Sequence, residues 1–178
     1  MPARISKKGL IQSLDPDSAR SVLFALVNEN PDLLSKVYNT AKRILRDVSP
    51  DDIASDVASS LAALDIEDLY SRSGKTRYGY KDPSDEAWEM FNEAIEPFID
   101  EMNKYLKRGM SDVAKNYCAG IIKGIQRSER GLGSELSDWI PDAPGEAIES
   151  VYDEWKKSQP GEDEIAEMQR IIDEEDEE

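Results

Sequence analysis

Two groups of side chains in this sequence carry enough charge at close spacing to do chemistry. The first is Glu86, Glu89, Glu93, Glu96 and Asp100, whose three- and four-residue steps put five carboxylates on one stripe of a helix. Clustered carboxylates are hard oxygen ligands of the kind that hold divalent metals. This stripe lies opposite Phe91, Phe98 and Met102, and no second ligand-bearing helix is evident beside it. The expectation is therefore a solvated face that binds no metal and no cofactor. Like charges at these steps repel by roughly a few tenths of a kcal/mol per pair, so a basic partner lying along the stripe gains by neutralising it.

The second group is the polar loop from Ser71 to Lys81, where Arg72, Lys75, Arg77 and Lys81 stand among Tyr78 and Tyr80. Cations beside aromatic rings suit phosphate contact and base stacking, and tyrosines of this kind also anchor loops to helical cores. Gly74-Lys75-Thr76 imitates the end of a phosphate-binding loop. Its first glycine would have to stand at position 69, which is Leu69, and no strand is predicted ahead of it. Nucleotide binding there is excluded.

Composition removes most of the remaining chemistry. The 178 residues contain no histidine, hence no histidine-dependent triad, no imidazole zinc ligand and no Glu-x-x-His pair of a helical di-iron site. Cys118 is the single cysteine. It forms no intramolecular disulfide, and its place on an apolar helix face predicts a small buried hydrophobe in a reducing, cytoplasmic setting. No apolar run approaches the roughly 20 residues of a membrane span. The net charge is −16, unevenly placed: residues 1–46 hold 8 basic and 4 acidic side chains, and residues 162–178 hold 1 basic and 10 acidic. A chain so acidic is a poor non-specific binder of nucleic acid as a whole, while its N-terminal portion is locally positive.

The elements that must position these groups are helices. Ala87, Trp88, Phe91, Ala94, Ile95, Phe98, Ile99, Met102, Tyr105 and Leu106 recur at helical steps. So do Val113, Ala114, Tyr117, Cys118, Ile121, Ile122 and Ile125. Gly109 between them supplies a left-handed helix end, and so short a junction makes the two arms antiparallel. Phe91, Phe98, Tyr117 and Ile121 are expected in the core. Pro97 predicts a kink or short break near Ala94. Gly120 and Gly124, one turn apart, each cost about 1 kcal/mol of helix propensity and imply that another helix packs closely there. Shorter helices precede this hairpin: one with Leu10, Ile11 and Leu14, one capped by Asp17 or Ser18, one after Pro31, one after Ser49-Pro50, and one capped by Asp65. No sustained two-residue alternation predicts a strand. Beyond Pro160-Gly161 only Ile165, Met168, Ile171 and Ile172 are apolar. The expectation there is a weakly docked helix or a mobile acidic tail, with residues 173–178 disordered and attracted to the basic N-terminal portion.

Thr76-Arg77-Tyr78-Gly79-Tyr80, Pro83, Ala87-Trp88, Glu96-Pro97-Phe98 and Tyr117-Cys118-Ala119-Gly120-Ile121 with Gly124 resemble the helical region that accompanies SWIM zinc fingers in uncharacterised bacterial and archaeal proteins. Asn30-Pro31-Asp32-Leu33 looks like its start and Glu154-Trp155 like its end, so the likeness spans roughly residues 10–157. The finger's Cys-x-Cys and Cys-x-His arrangement is absent from a chain with one cysteine and no histidine. The resemblance implies a helical fold without the finger's binding residues.

These readings define an all-α chain of antiparallel helix pairs, forming a helical bundle or a short right-handed helical-repeat array. The expected organisation is one domain over residues 1–160 and an acidic helix or tail over 161–178. The expected function is a non-catalytic scaffold that binds another protein. The candidate partner-binding residues are Arg72, Lys75, Arg77, Tyr78, Tyr80, Lys81, Glu86, Glu89, Glu93, Glu96 and Asp100. The alternative is a nucleic-acid accessory domain using the basic N-terminal region and the 72–81 loop.

Overall fold

Prolines and the short polar side chains ahead of them set most of the helix starts. Asp15, Ser49 and Asp82 each accept backbone N–H bonds from the first turn, with Pro16, Pro50 and Pro83 at the first helical position. The ring fixes φ and its missing N–H is one that a helix start would leave unpaired anyway. Asp65 caps in the same way without a proline. Asp15 therefore takes the role that the sequence assigned to Asp17 or Ser18, because Pro16 already lies inside the helix.

The computed structural model describes residues 6–45, 48–77, 79–129 and 134–173, and the chain divides into two compact units, Met1–Asp47 and Val48–Glu178. The first contains α1 (Lys7–Gln12), α2 (Pro16–Glu29) and α3 (Asp32–Leu45). The second contains α4 (Pro50–Ala62), α5 (Ile66–Arg72), β1 (Gly74–Thr76), β2 (Gly79–Lys81), α6 (Pro83–Lys107), α7 (Ser111–Glu129), α8 (Ser134–Ser137), α9 (Ala143–Lys156) and α10 (Glu162–Asp173). The architecture is an all-α bundle carrying one small β-hairpin, an element that periodicity did not predict because three-residue strands are too short to alternate. The sequence suggested a boundary near residue 160 and none at Asp47/Val48, where the two units divide; every described side chain that is buried belongs to helices 4 to 10 or the segments between them.

That core is built around α7. α4, α6, α9 and α10 all pack on it, and Leu61, Phe91, Ile95, Met102, Ile121, Ile122, Ile125, Trp155 and Met168 are almost fully buried. The closest approach is at the glycines. A Cβ on Gly120 would lie 2.6 Å from Ile53 Cβ and 2.8 Å from the Pro50 carbonyl oxygen, and one on Gly124 would lie 2.6 Å from Val57 Cβ and 2.8 Å from the Ala54 carbonyl oxygen. Only residues without a side chain admit the α4 backbone at this distance.

α6 and α7 form the expected hairpin. Gly109 adopts φ +68, and the Met110 N–H donates to the Tyr105 carbonyl while Gly109 N–H donates to that of Leu106, which is the bonding of a left-handed helix end. Pro97 does not interrupt α6. The Ser60 hydroxyl donates to the Ala94 carbonyl at 3.1 Å, a partner from α4 on the turn that the proline weakens. Two expected core residues, Phe98 and Tyr117, are only half-buried, whereas Phe91 and Ile121 are buried. The expected tail is a docked helix over Glu162–Asp173. Met168 is buried, the Gln126 side-chain amide donates to the Ile171 and Ile172 carbonyls at 3.2 Å, and Lys115 pairs with Glu167 at 2.8 Å. Those two carbonyls are among the last four of the helix, which have no partner within it. Residues 174–178 lie outside the described residues.

Candidate functional site

The structure joins part of the carboxylate stripe, Glu86, Glu89 and Glu93, to two cations of the loop, Arg72 and Lys81. The reason is the hairpin. Its register pairs Gly74 with Lys81, Lys75 with Tyr80 and Thr76 with Gly79, and Gly74 and Gly79 take positive φ of 82 and 134 at its two ends, conformations that side chains resist. Folding the chain back in this way brings Lys81 to the start of α6 beside Arg72, the last residue of α5.

Both cations converge on Glu86. Arg72 Nε donates to Glu86 Oε1 at 2.6 Å and Lys81 Nζ to Oε2 at 2.6 Å. The rest of the Arg72 guanidinium forks onto Glu93, Nη1 to Oε2 at 2.9 Å and Nη2 to Oε1 at 3.0 Å, a two-point geometry that an ammonium cannot reproduce. Lys81 also lies 3.7 Å from Glu89. Glu86 is 2% exposed, so the expectation that the whole stripe faces solvent is corrected at its first member. The carboxylate is buried where two cations and the positive end of α6 offset the loss of water.

The charges shift one another accordingly. The hydrogen bond from Lys81 holds the Glu86 carboxyl below its ordinary value, against burial, and Arg72 adds to the effect. Arg72 likewise lowers Glu93. Lys81 is raised, chiefly by Glu86. Elsewhere burial alone pushes the Cys118 thiol up to about 12, which keeps it a neutral core side chain and an inert one.

Beyond this network α6 carries a cleft of about 710 Å³. Trp88 and Ile99 supply its apolar surface above the buried Ile95, with Asp85, Glu89, Glu93, Glu96 and Asp100 around them and Asn92 between. Trp88 sets its ring edge-on to the buried Phe91, with centroids 6.4 Å apart, so one side of the groove is fixed by the core. Among the described residues no salt bridge reaches Asp85, Glu96 or Asp100, and no three acidic or cysteine side chains converge as a metal would need. Lys75, Arg77 and Tyr80 stay exposed on the hairpin, and Tyr78 lies outside the described residues. Sequence reasoning missed the groove because it assigned Trp88 and Ile99, with the buried Ile95, to the core. The signal was present: Trp88, Asn92, Ile95 and Ile99 share a helix face with the acids at positions 85, 89 and 96.

The chain matches no protein-family model, and searches of the curated proteins and of the solved structures find no significant match. The likeness to the SWIM-associated helical region therefore adds nothing to the functional reading.

Proposed function

We propose that the chain is a non-catalytic helical interaction domain whose α6 groove receives a basic, amphipathic segment of another protein. The observation that carries this reading is the pairing of an apolar floor with an acidic rim in one cleft. Trp88 and Ile99 suit the aliphatic stems of lysine and arginine or a leucine between them, and Trp88 offers a face to a cation. Asp85, Glu96 and Asp100 are the carboxylates left for the partner's charges, because Glu86 and Glu93 are already matched by Arg72 and Lys81. The same ion pairs weigh against the nucleic-acid alternative. They occupy two of the four loop cations, leaving Lys75 and Arg77 to meet phosphate beside an acidic helix.

The test is a titration of the full chain with a labelled lysine- and leucine-rich helical peptide, read by fluorescence anisotropy, with a DNA duplex of equal length in parallel. The expected result is peptide binding that weakens with salt and falls about 1.4- to 5-fold in Glu96→Gln and again in Asp100→Asn, in keeping with rim charges of about 0.2–1 kcal/mol each. Peptide binding unchanged in Trp88→Ala and in both rim variants, or tighter binding of the duplex, would sink this reading.

A further inference from the structure

The α6 groove has a cation of its own chain at one end. Lys81 Nζ lies 2.6 Å from Glu86 Oε2 and 3.7 Å from Glu89 Oε2, and Glu89 belongs both to this network and to the wall of the cleft. The two contacts differ in kind. The first is a short charge-assisted hydrogen bond to a carboxylate that is 2% exposed, and the second, beyond hydrogen-bond length, reaches one that is 56% exposed. Arg72 meets the same cleft at Glu93 with a fork of two hydrogen bonds and places a third on Glu86, from the end of a helix whose Leu69 is buried. Lys81 instead belongs to β2, all three residues of which are exposed, in a two-stranded hairpin of the kind that is only marginally stable by itself.

We propose that Lys81 is an internal competitor for the partner's cation: it occupies the Glu89 end of the groove in the free chain and yields that place when a basic segment binds, while Arg72 stays. The proposal rests on the groove reading above and concerns the regulation of that same site. Chemistry puts the exchange at Lys81. An ammonium on a flexible stem leaves by rotating its own side chain, whereas withdrawing a bidentate guanidinium breaks two bonds at once. Glu86 keeps the Arg72 Nε bond at 2.6 Å after Lys81 has left, and the incoming cation at Glu89 returns positive charge nearby, so no buried carboxylate is stranded.

The geometry also makes the competition depend on the partner's length. Asp100 lies 11 positions after Glu89, which is about 16 Å along the helix at ~1.5 Å per residue. A basic segment that covers only the Glu96 and Asp100 end leaves Lys81 where it is. One that spans the whole distance must expel it, and so loses part of its charge gain to the exchange.

The test uses the full chain and an arginine- and leucine-rich helical peptide of about 15 residues, enough to cover the ~22 Å from Asp85 to Asp100, so that every lysine in the mixture belongs to the protein. Brief acetylation with acetic anhydride, read by mass spectrometry, should label Lys81 more slowly than the exposed Lys75 in the free chain. Saturating peptide should bring Lys81 up towards the Lys75 rate. In fluorescence anisotropy Lys81→Met should tighten peptide binding about 1.4- to 5-fold, the range of one exposed charge pair, and by more than Lys75→Met, which removes the same charge from the other strand. That gain should shrink in a Glu89→Gln background, because the two side chains act as a pair. The labelling arm uses the natural chain and stands whatever Lys81→Met does to stability. Peptide binding with Lys81 labelling unchanged or lowered at saturation, or with a gain in Lys81→Met no larger than in Lys75→Met, overturns the competition and leaves the groove reading in place. Peptide binding by neither the natural chain nor Lys81→Met overturns both.

Discussion

The helical hairpin α2–α3 and the helical hairpin α6–α7 have similar amphipathic patterns and opposite fates. In the second unit the apolar stripes of α6 and α7 are closed over by α4, α9 and α10, and glycine lets α4 approach to backbone distance. In the first, Val27, Leu33 and Val37 reach only half-burial and nothing within the unit covers the rest. A hairpin buries one seam by itself, and each helix presents a stripe wider than one neighbour can cover. A helix pattern therefore announces a demand for partners. Whether the demand is met inside the chain depends on how many further helices return to the same place.

The largest expected effect contrasts the two hairpins directly. Phe91→Ala removes a fully buried ring and should cost about 3–5 kcal/mol in chemical denaturation, while Phe24→Ala, on the exposed face of α2, should change the unfolding of the second unit by less than about 0.5 kcal/mol. Equal losses would show that the two hairpins share one core after all. Phe98, half-buried on the same helix as Phe91, should fall between them.

Next in size is the glycine contact. Gly124→Val forces a branched side chain against Val57 Cβ and the Ala54 carbonyl oxygen, and the overpacking should cost about 3 kcal/mol or more. Gly145→Ala, where a Cβ meets nothing within 4 Å, should be neutral or stabilise by up to about 1 kcal/mol. If thermal melts rank these two variants the other way, α4 does not pack on α7 as described.

The smallest effect concerns the ion-pair network that joins the hairpin to α6. Glu86→Gln removes the charge shared by Arg72 and Lys81, and because Arg72 keeps Glu93, Lys81 keeps Glu89 at 3.7 Å and the two cations are 35% and 51% exposed, the cost is held to about 1–2 kcal/mol. The pH dependence carries a sign. Glu86 and Glu93 have folded-state values below their ordinary 4.5, so their contribution is fully present above that pH and is lost as pH falls through the lowered values. Denaturant midpoints of the natural chain should drop on acidification below about 4.5, and Glu86→Gln should make that drop shallower. An acid limb that Glu86→Gln leaves unaltered would remove the network from the stability of the second unit.

Helix starts, the Gly109 junction, the tight packing at Gly120 and Gly124 and the burial of Cys118 were legible in the residues themselves. Each is a local matter of φ, of a missing side chain or of apolar spacing, set within a turn or two of chain. The candidate site was legible only as two separate lists. Arg72 and Glu86 stand 14 positions apart, and no helical period links them; the β1–β2 register does, and its strands are too short to leave a pattern. The apolar groove was hidden for a related reason. Periodicity identifies an apolar face without saying whether another helix covers it, so Trp88 and Ile99 read as core, while Met168 read as part of either a weakly docked helix or a tail. Local sequence determined that this chain makes capped amphipathic helices with glycine-thinned contacts. Tertiary structure alone decided which faces are covered, which carboxylates are ion-paired, and that the chain divides at Asp47, because burial and ion pairing depend on which elements return to the same point in space.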